Sequence, residues 1–150
     1  MAAAVADRQR RIPVAHARLA RAAGRALRAV GRPAGAVEVL VVDDAGIRRL
    51  NAAWRGVRRR TDVLAFPLEA PGLPSPLLGQ VVVSAQAAQR QARRVGVTLA
   101  TELDLLVTHG VLHLVGYDDR DPVEAALMHR RERAILADAP ERLWKGLLRR

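Results

Sequence analysis

The sequence predicts an α+β fold in which a small mixed sheet of about three to four strands packs with about five to six helices. Two short β-branched runs, Ala36 to Val42 and Gly79 to Ser84 around Val81-Val82-Val83, have the length and composition of strands. Between and after them lie longer Ala-, Leu- and Arg-rich stretches with helical spacing. One of these, Leu103 to Val115, is apolar almost all round and is therefore the buried central helix.

In chain order, Val14 to Arg32 reads as a helix ended by Gly31 and Pro33. Its arginines at 18, 21, 25, 28 and 32 form one stripe, which fits a phosphate backbone or an ordinary solvated face. His16, at the helix start, reads as a surface residue. Ala36 to Val42 is a strand, Asp43-Asp44 a turn and helix cap, and Ala45 to Trp54 a helix with Ile47, Leu50 and Trp54 at helical spacing. Arg55 to Thr61 reads as a basic loop, Asp62 to Leu68 as a strand broken by Pro67, and Ala70 to Pro76 as a Pro/Gly-rich loop. Gly79 to Ser84 is the next strand, with Ser84 capping a helix from Ala85 to Arg94 that Gly96 closes. Thr98 caps the buried helix, Asp121-Pro122 opens another that reaches about Ala137, and Pro140 begins a short one containing Leu143, Trp144, Leu147 and Leu148.

The 150 residues are expected to form a single domain, 1–150. Lys and Arg number 25 against 15 Asp and Glu, a net charge of +10, which points to a polyanionic partner such as RNA or the ribosome. Membrane surfaces are the weaker alternative. Aromatic residues are 3% of the chain, so base stacking contributes little and binding rests on phosphates and arginine planes. The absence of cysteine excludes disulfides and thiolate ligands, leaving nitrogen and oxygen to hold any zinc. The apolar start precedes its charged run, the reverse of a signal peptide, and no run reaches membrane-span length, so an unexported cytoplasmic protein is expected.

The chemistry concentrates in Thr108 to Asp119. His109 and His113, four apart on a helix, lie on one face, so both imidazoles can reach a single ion. Gly116 permits the chain to turn back, and Asp119, or Asp118, can then offer a carboxylate. The pattern H-x-x-x-H-x-x-G-x-x-D has the spacing of the metzincin zinc motif with two changes. Gly110 stands where the metzincin glutamate serves as general base, which disfavours peptide hydrolysis, and Asp119 stands where a third histidine belongs.

Three blocks resemble the YbeY family of bacterial endoribonucleases. They are Leu50-Asn51 through Trp54-Arg55-Gly56 to Thr61-Asp62-Val63-Leu64-Ala65-Phe66-Pro67, then Leu78-Gly79-Gln80-Val81-Val82-Val83, and finally His109 to Asp119. The family pattern of the last block, H-G-x-L-H-L-x-G-Y-D-H, is met at every position except the final one, Asp119. The resemblance implies that His109 and His113 are zinc ligands, with Asp119 at the third ligand position, and that Arg55 and His109 serve catalysis. It further implies a metal-dependent nuclease acting on single-stranded RNA, in 16S rRNA 3′-end maturation and quality control at the small ribosomal subunit. Ala65 and Gln80 depart from the serine and aspartate usual there, and Met128 falls where the family has a methionine, here expected to pack in the core. The bound ion is expected to be Zn²⁺, another divalent metal being compatible with the aspartate. Water or the RNA's own 2′-OH can serve as nucleophile, with Arg55 stabilising the charge that develops on phosphorus. The alternative is an RNA- or ribosome-binding module of the same fold, with metal catalysis weakened through Asp119.

Overall fold

A computed structural model describes residues 3–54, 57–60, 62–68 and 77–147. In chain order the elements are β1 (Ala3–Asp7), α1 (His16–Ala29), β2 (Ala36–Val42), α2 (Asp44–Trp54), β3 (Val57–Arg60), β4 (Val63–Pro67), β5 (Leu77–Ser84), α3 (Ala85–Val95), α4 (Leu99–Leu114), α5 (Pro122–Ile135) and α6 (Glu141–Leu147). The strands form one mixed sheet in the order β1-β2-β5-β4-β3. β1, β2 and β5 run parallel, while β4 pairs antiparallel with both β5 and β3.

Local chemistry sets the helix starts. Ser84 accepts from the Ala87 N–H at 3.1 Å to cap α3, and Thr98 accepts from the Thr101 N–H at 3.1 Å to cap α4. Asp43 accepts from the Gly46 N–H ahead of α2, and Asp121 from the N–H groups of Val123 and Glu124, with Pro122 in the first turn of α5. Gly96 ends α3 in the left-handed region at φ 76°, a conformation that a Cβ resists.

Period-two alternation along the strands gives the sheet two buried faces. Val37, Val39, Val41, Val63, Val81 and Val83 meet α1 and α4, through Leu19, Ala23, Leu27, Leu103, Leu106, Val107 and Val111. On the other face Val42, Leu64 and Val82 meet Ile47 of α2. Behind α4 lies a further apolar layer, in which Leu105 and Leu112 pack with Met128 and Ile135 of α5 and with Leu143 and Trp144 of α6. With apolar layers on both sides, α4 has no amphipathic stripe, and its side chains from Glu102 to Leu112 are all buried. α4 also comes very close to the sheet. A Cβ built on Gly110 would stand 2.5 Å from Cγ1 and 2.9 Å from Cγ2 of Val81, too near for any side chain without movement.

The α+β class and the six helices agree with the sequence expectation, but among the described residues the sheet has five strands, not three to four. β1 is alanine-rich, a weak strand former, and is held as an edge by parallel pairing with β2, a long-range contact that no local pattern announces. β3 falls in the expected basic loop, where three consecutive arginines hide the alternation; it is the opposite edge, and charge is common on strands that have one free side. Arg55, Gly56 and Thr61 of that loop, and the Pro/Gly-rich segment Ala70 to Pro76, lie outside the described residues. Among the described residues no single helix is long and apolar enough to cross a membrane.

The start of α2 is tied to α3 by charge. Asp44 accepts from Arg90 Nη1 at 2.7 Å and from the Ser84 hydroxyl at 2.8 Å. The Arg90 hydrogen bond holds the Asp44 carboxyl below its ordinary 3.8, against the opposing effect of partial burial and with the help of Ser84. A depressed carboxylate stabilises the fold above its unfolded pKa, and that contribution is lost as pH falls through the folded value. Asp44→Asn is therefore expected to lower stability by about 1 kcal/mol at neutral pH, as for a half-exposed ion pair. Urea denaturation at neutral pH and again near pH 2 should show the difference from wild type shrinking in acid.

Candidate metal centre

The last turn of α4 and the segment after it fold back on themselves. The Tyr117 N–H donates to the Leu112 carbonyl at 3.0 Å and the Gly116 N–H to the His113 carbonyl at 3.1 Å, with Gly116 at φ 102°. This reversal carries Asp119 back to the histidines. Suitable ligand atoms of His109, His113 and Asp119 all lie within 4.8 Å of one another. The two Nε2 atoms are 3.0 Å apart, and the Asp119 carboxylate approaches them at 3.7 Å and 3.9 Å. Asp118, the other carboxylate the sequence offered, is turned elsewhere: its oxygens bind Arg120 Nε at 2.6 Å and the Asp119 N–H at 2.7 Å.

The tautomers follow from the partners of the other ring nitrogens. His113 Nδ1 is 2.9 Å from the Tyr117 carbonyl, which can only accept, so Nδ1 carries the proton. His109 Nδ1 is 2.7 Å from Glu132 Oε2, and His129 Nδ1 is 2.9 Å from Oε1 of the same carboxylate. Burial alone would raise the Glu132 pKa, but hydrogen bonds from His109 and His129 outweigh it and bring the carboxyl down to about 2. Glu132 is thus ionised and accepts on both oxygens. In neutral rings this leaves the lone pairs of His109 and His113 on the two Nε2 atoms, facing each other at 3.0 Å. Only a proton held between them or a cation bound to both relieves that opposition.

Two imidazole nitrogens and a carboxylate oxygen form a donor set suited to Zn²⁺ and also acceptable to harder divalent ions. The His109 side chain is 1% exposed and that of Asp119 16%, so the cluster opens to solvent on its carboxylate side. Ligands with their second nitrogen fixed by a carboxylate or a carbonyl are the usual arrangement around a protein-bound metal.

Of the site residues expected from sequence, His109, His113 and Asp119 are brought together, while Arg55 lies outside the described residues. Met128 packs in the core, fully buried. Glu132 and His129 were not singled out. The signal for Glu132 was a charge on an apolar stripe, four residues after Met128 and three before Ile135, where helical spacing calls for a hydrophobic side chain. The α1 arginine stripe is partly occupied within the fold. Arg18 binds Asp104 at 2.8 Å and Arg25 lies 3.6 Å from Asp138, while Arg21 and Arg28 line the same cleft of ≈ 440 Å³.

Fold and cluster together define a class, an α+β protein whose buried helix and following turn assemble a His-His-Asp candidate metal centre. The chain belongs to the endoribonuclease YbeY family, whose model it matches over residues 4–139. It is 46% identical over 106 residues to the endoribonuclease YbeY of Anaeromyxobacter sp. (strain Fw109-5), covering 71% of this chain and 55% of that protein. The namesake from Geobacter metallireducens is 39% identical over 142 residues, covering 91% of this chain and 95% of that protein. The chain thus spans about half the length of the Anaeromyxobacter relatives, 55% in each case, and nearly all of the Geobacter one. The solution structure of TM1509 from Thermotoga maritima has the same fold, with a TM-score of 0.57 at 23% identity over 91% of this chain and 90% of that one.

Proposed function

We propose that this chain is a metal-dependent endoribonuclease that hydrolyses phosphodiester bonds in single-stranded RNA. The observation that carries the proposal is the convergence of two Nε2 lone pairs and the Asp119 carboxylate in a member of the YbeY family. His109, His113 and Asp119 would hold one divalent ion, Zn²⁺ first among them. When bound, it supplies Lewis acidity toward a phosphoryl group. Glu132 and the Tyr117 carbonyl keep both Nδ1 protons in place, so neither Nε2 is blocked. Gly110 supplies no general base, which sets the chain apart from zinc peptidases of similar spacing. Arg55, two residues before β3, is assigned by family resemblance to stabilise charge developing on phosphorus. A net charge of +10 suits a polyanionic substrate. By the same resemblance the substrate is 16S rRNA at its 3′ end, met on the small ribosomal subunit in the cytoplasm.

The rival, an RNA-binding module that has lost its metal, turns on Asp119. Its carboxylate stands 3.7 Å and 3.9 Å from the two Nε2 atoms, which supports the ligand reading over that of a relic. Titration of wild type, Asp119→Ala and Asp119→His with Zn²⁺ and Mn²⁺ by calorimetry tests this. The alanine variant should lose no less affinity than the roughly 10- to 100-fold that removal of a ligand's own partner costs. The histidine variant should keep metal with a shift of preference toward Zn²⁺. Cleavage of single-stranded RNA should stop with a chelator and return with the metal. Equal affinity of wild type and the alanine variant would remove Asp119 as a ligand.

A further inference from the structure

Glu132 is a carboxylate with no solvent exposure, seated on the face of α5 that also carries Met128 and Ile135. A charge in such a place costs several kcal/mol in desolvation, and a well-packed apolar side chain there is commonly neutral or stabilising, so core packing alone does not account for it. Its oxygens are both committed. Oε2 accepts from His109 Nδ1 at 2.7 Å, and Oε1 accepts from His129 Nδ1 at 2.9 Å. His129 is 43% exposed, one turn back on the same helix, so a chain of three side chains runs from the surface to the candidate ligand His109.

We propose that Glu132 is a positioning residue for the metal centre, fixing the ring rotation and tautomer of His109 so that Nε2 presents its lone pair, with His129 locking the carboxylate from the outer side. The inference rests on the metal reading above and adds to it a residue outside the His-x-x-x-His motif. Without the carboxylate, the His109 ring could rotate, or carry its proton on Nε2 and be unable to bind. With it, the ring is a stronger donor, since a negative partner at Nδ1–H raises the basicity of Nε2. His129 matters because a carboxylate held on one oxygen can rotate, whereas one held on both cannot.

The test uses the full chain with Zn²⁺ as the probe. Glu132→Gln keeps size and an acceptor oxygen while removing the charge, and half-exposed His129 can change tautomer to meet the new amide. Calorimetry on the folded variant should give Zn²⁺ affinity lower by about 10- to 100-fold, and His129→Ala a smaller loss of a few-fold. A merely structural role would lower the melting temperature and leave the affinity of the folded protein unchanged. Glu132→Leu removes the acceptor as well as the charge, and an affinity of that folded variant within about twofold of wild type would overturn the proposal. ¹⁵N NMR of the metal-free wild type gives an independent answer that does not depend on any Glu132 variant folding: His109 should carry a proton on Nδ1, and an Nδ1 without one would overturn the proposal. If wild type binds no Zn²⁺, the metal reading falls, while the NMR result still decides whether Glu132 sets the ring.

Discussion

His109→Ala is expected to abolish both Zn²⁺ binding and RNA cleavage, and to destabilise the fold far more than His113→Ala does. The two histidines offer equivalent Nε2 atoms, 3.0 Å apart, so under the proposed metal reading either change removes one of three donors and the loss of metal should be alike. Their other nitrogens differ. His113 Nδ1 donates to the Tyr117 carbonyl near the solvent-facing turn, and a carbonyl left without it costs about 1 kcal/mol. His109 Nδ1 donates to a fully buried, ionised carboxylate, and removing a hydrogen-bond partner from a buried charged group costs about 3 kcal/mol. Urea denaturation of both metal-free variants, beside calorimetry and an RNA cleavage assay, should give matching losses of binding and unequal losses of stability. A folded His109→Ala protein that still cleaved RNA would sink the catalytic assignment.

Gly110→Ala is expected to destabilise the protein by about 1–3 kcal/mol without touching a ligand. Alanine is the better helix former, so helix propensity alone predicts the opposite sign, a gain of up to about 1 kcal/mol. Packing decides, because the new methyl would meet two methyl groups of Val81 at 2.5 Å and 2.9 Å, and Val81 lies in the middle of the sheet with no exposure. The double variant with Val81→Ala should recover part of the loss, since it removes the atoms that clash. Thermal denaturation of the single and double variants separates packing from propensity; a more stable Gly110→Ala would show that α4 can withdraw from the sheet.

Helix positions were legible in the sequence because their signals are local. Ser84, Thr98 and Asp121 cap where their chemistry says they should, and Gly96 and Gly116 turn the chain at positive φ. The His109–His113 pair was legible for the same reason, a spacing of four on one helix face. The edge strands were not: β1 is defined by pairing with β2 roughly thirty residues away, and β3, a run that ends in three arginines, by pairing with β4. The choice of Asp119 over Asp118 depended on how the turn after Gly116 closes, which spacing leaves open. Glu132 came from 23 residues beyond His109, and only packing of α5 on α4 brings the two together.

The contact between Gly110 and Val81 also bears on what descendants of this chain can become. A codon for glycine is one base change from a codon for glutamate in half of its forms, and glutamate after the first histidine is the general base of zinc peptidases. That change is closed here, because the side chain would have to enter the space already held by a central strand residue. Mutation and selection can alter the ligands, the cleft and the charge of this protein one position at a time. They reach peptidase chemistry at this centre only after Val81 has been cut back or the helix and the sheet beneath it have moved apart.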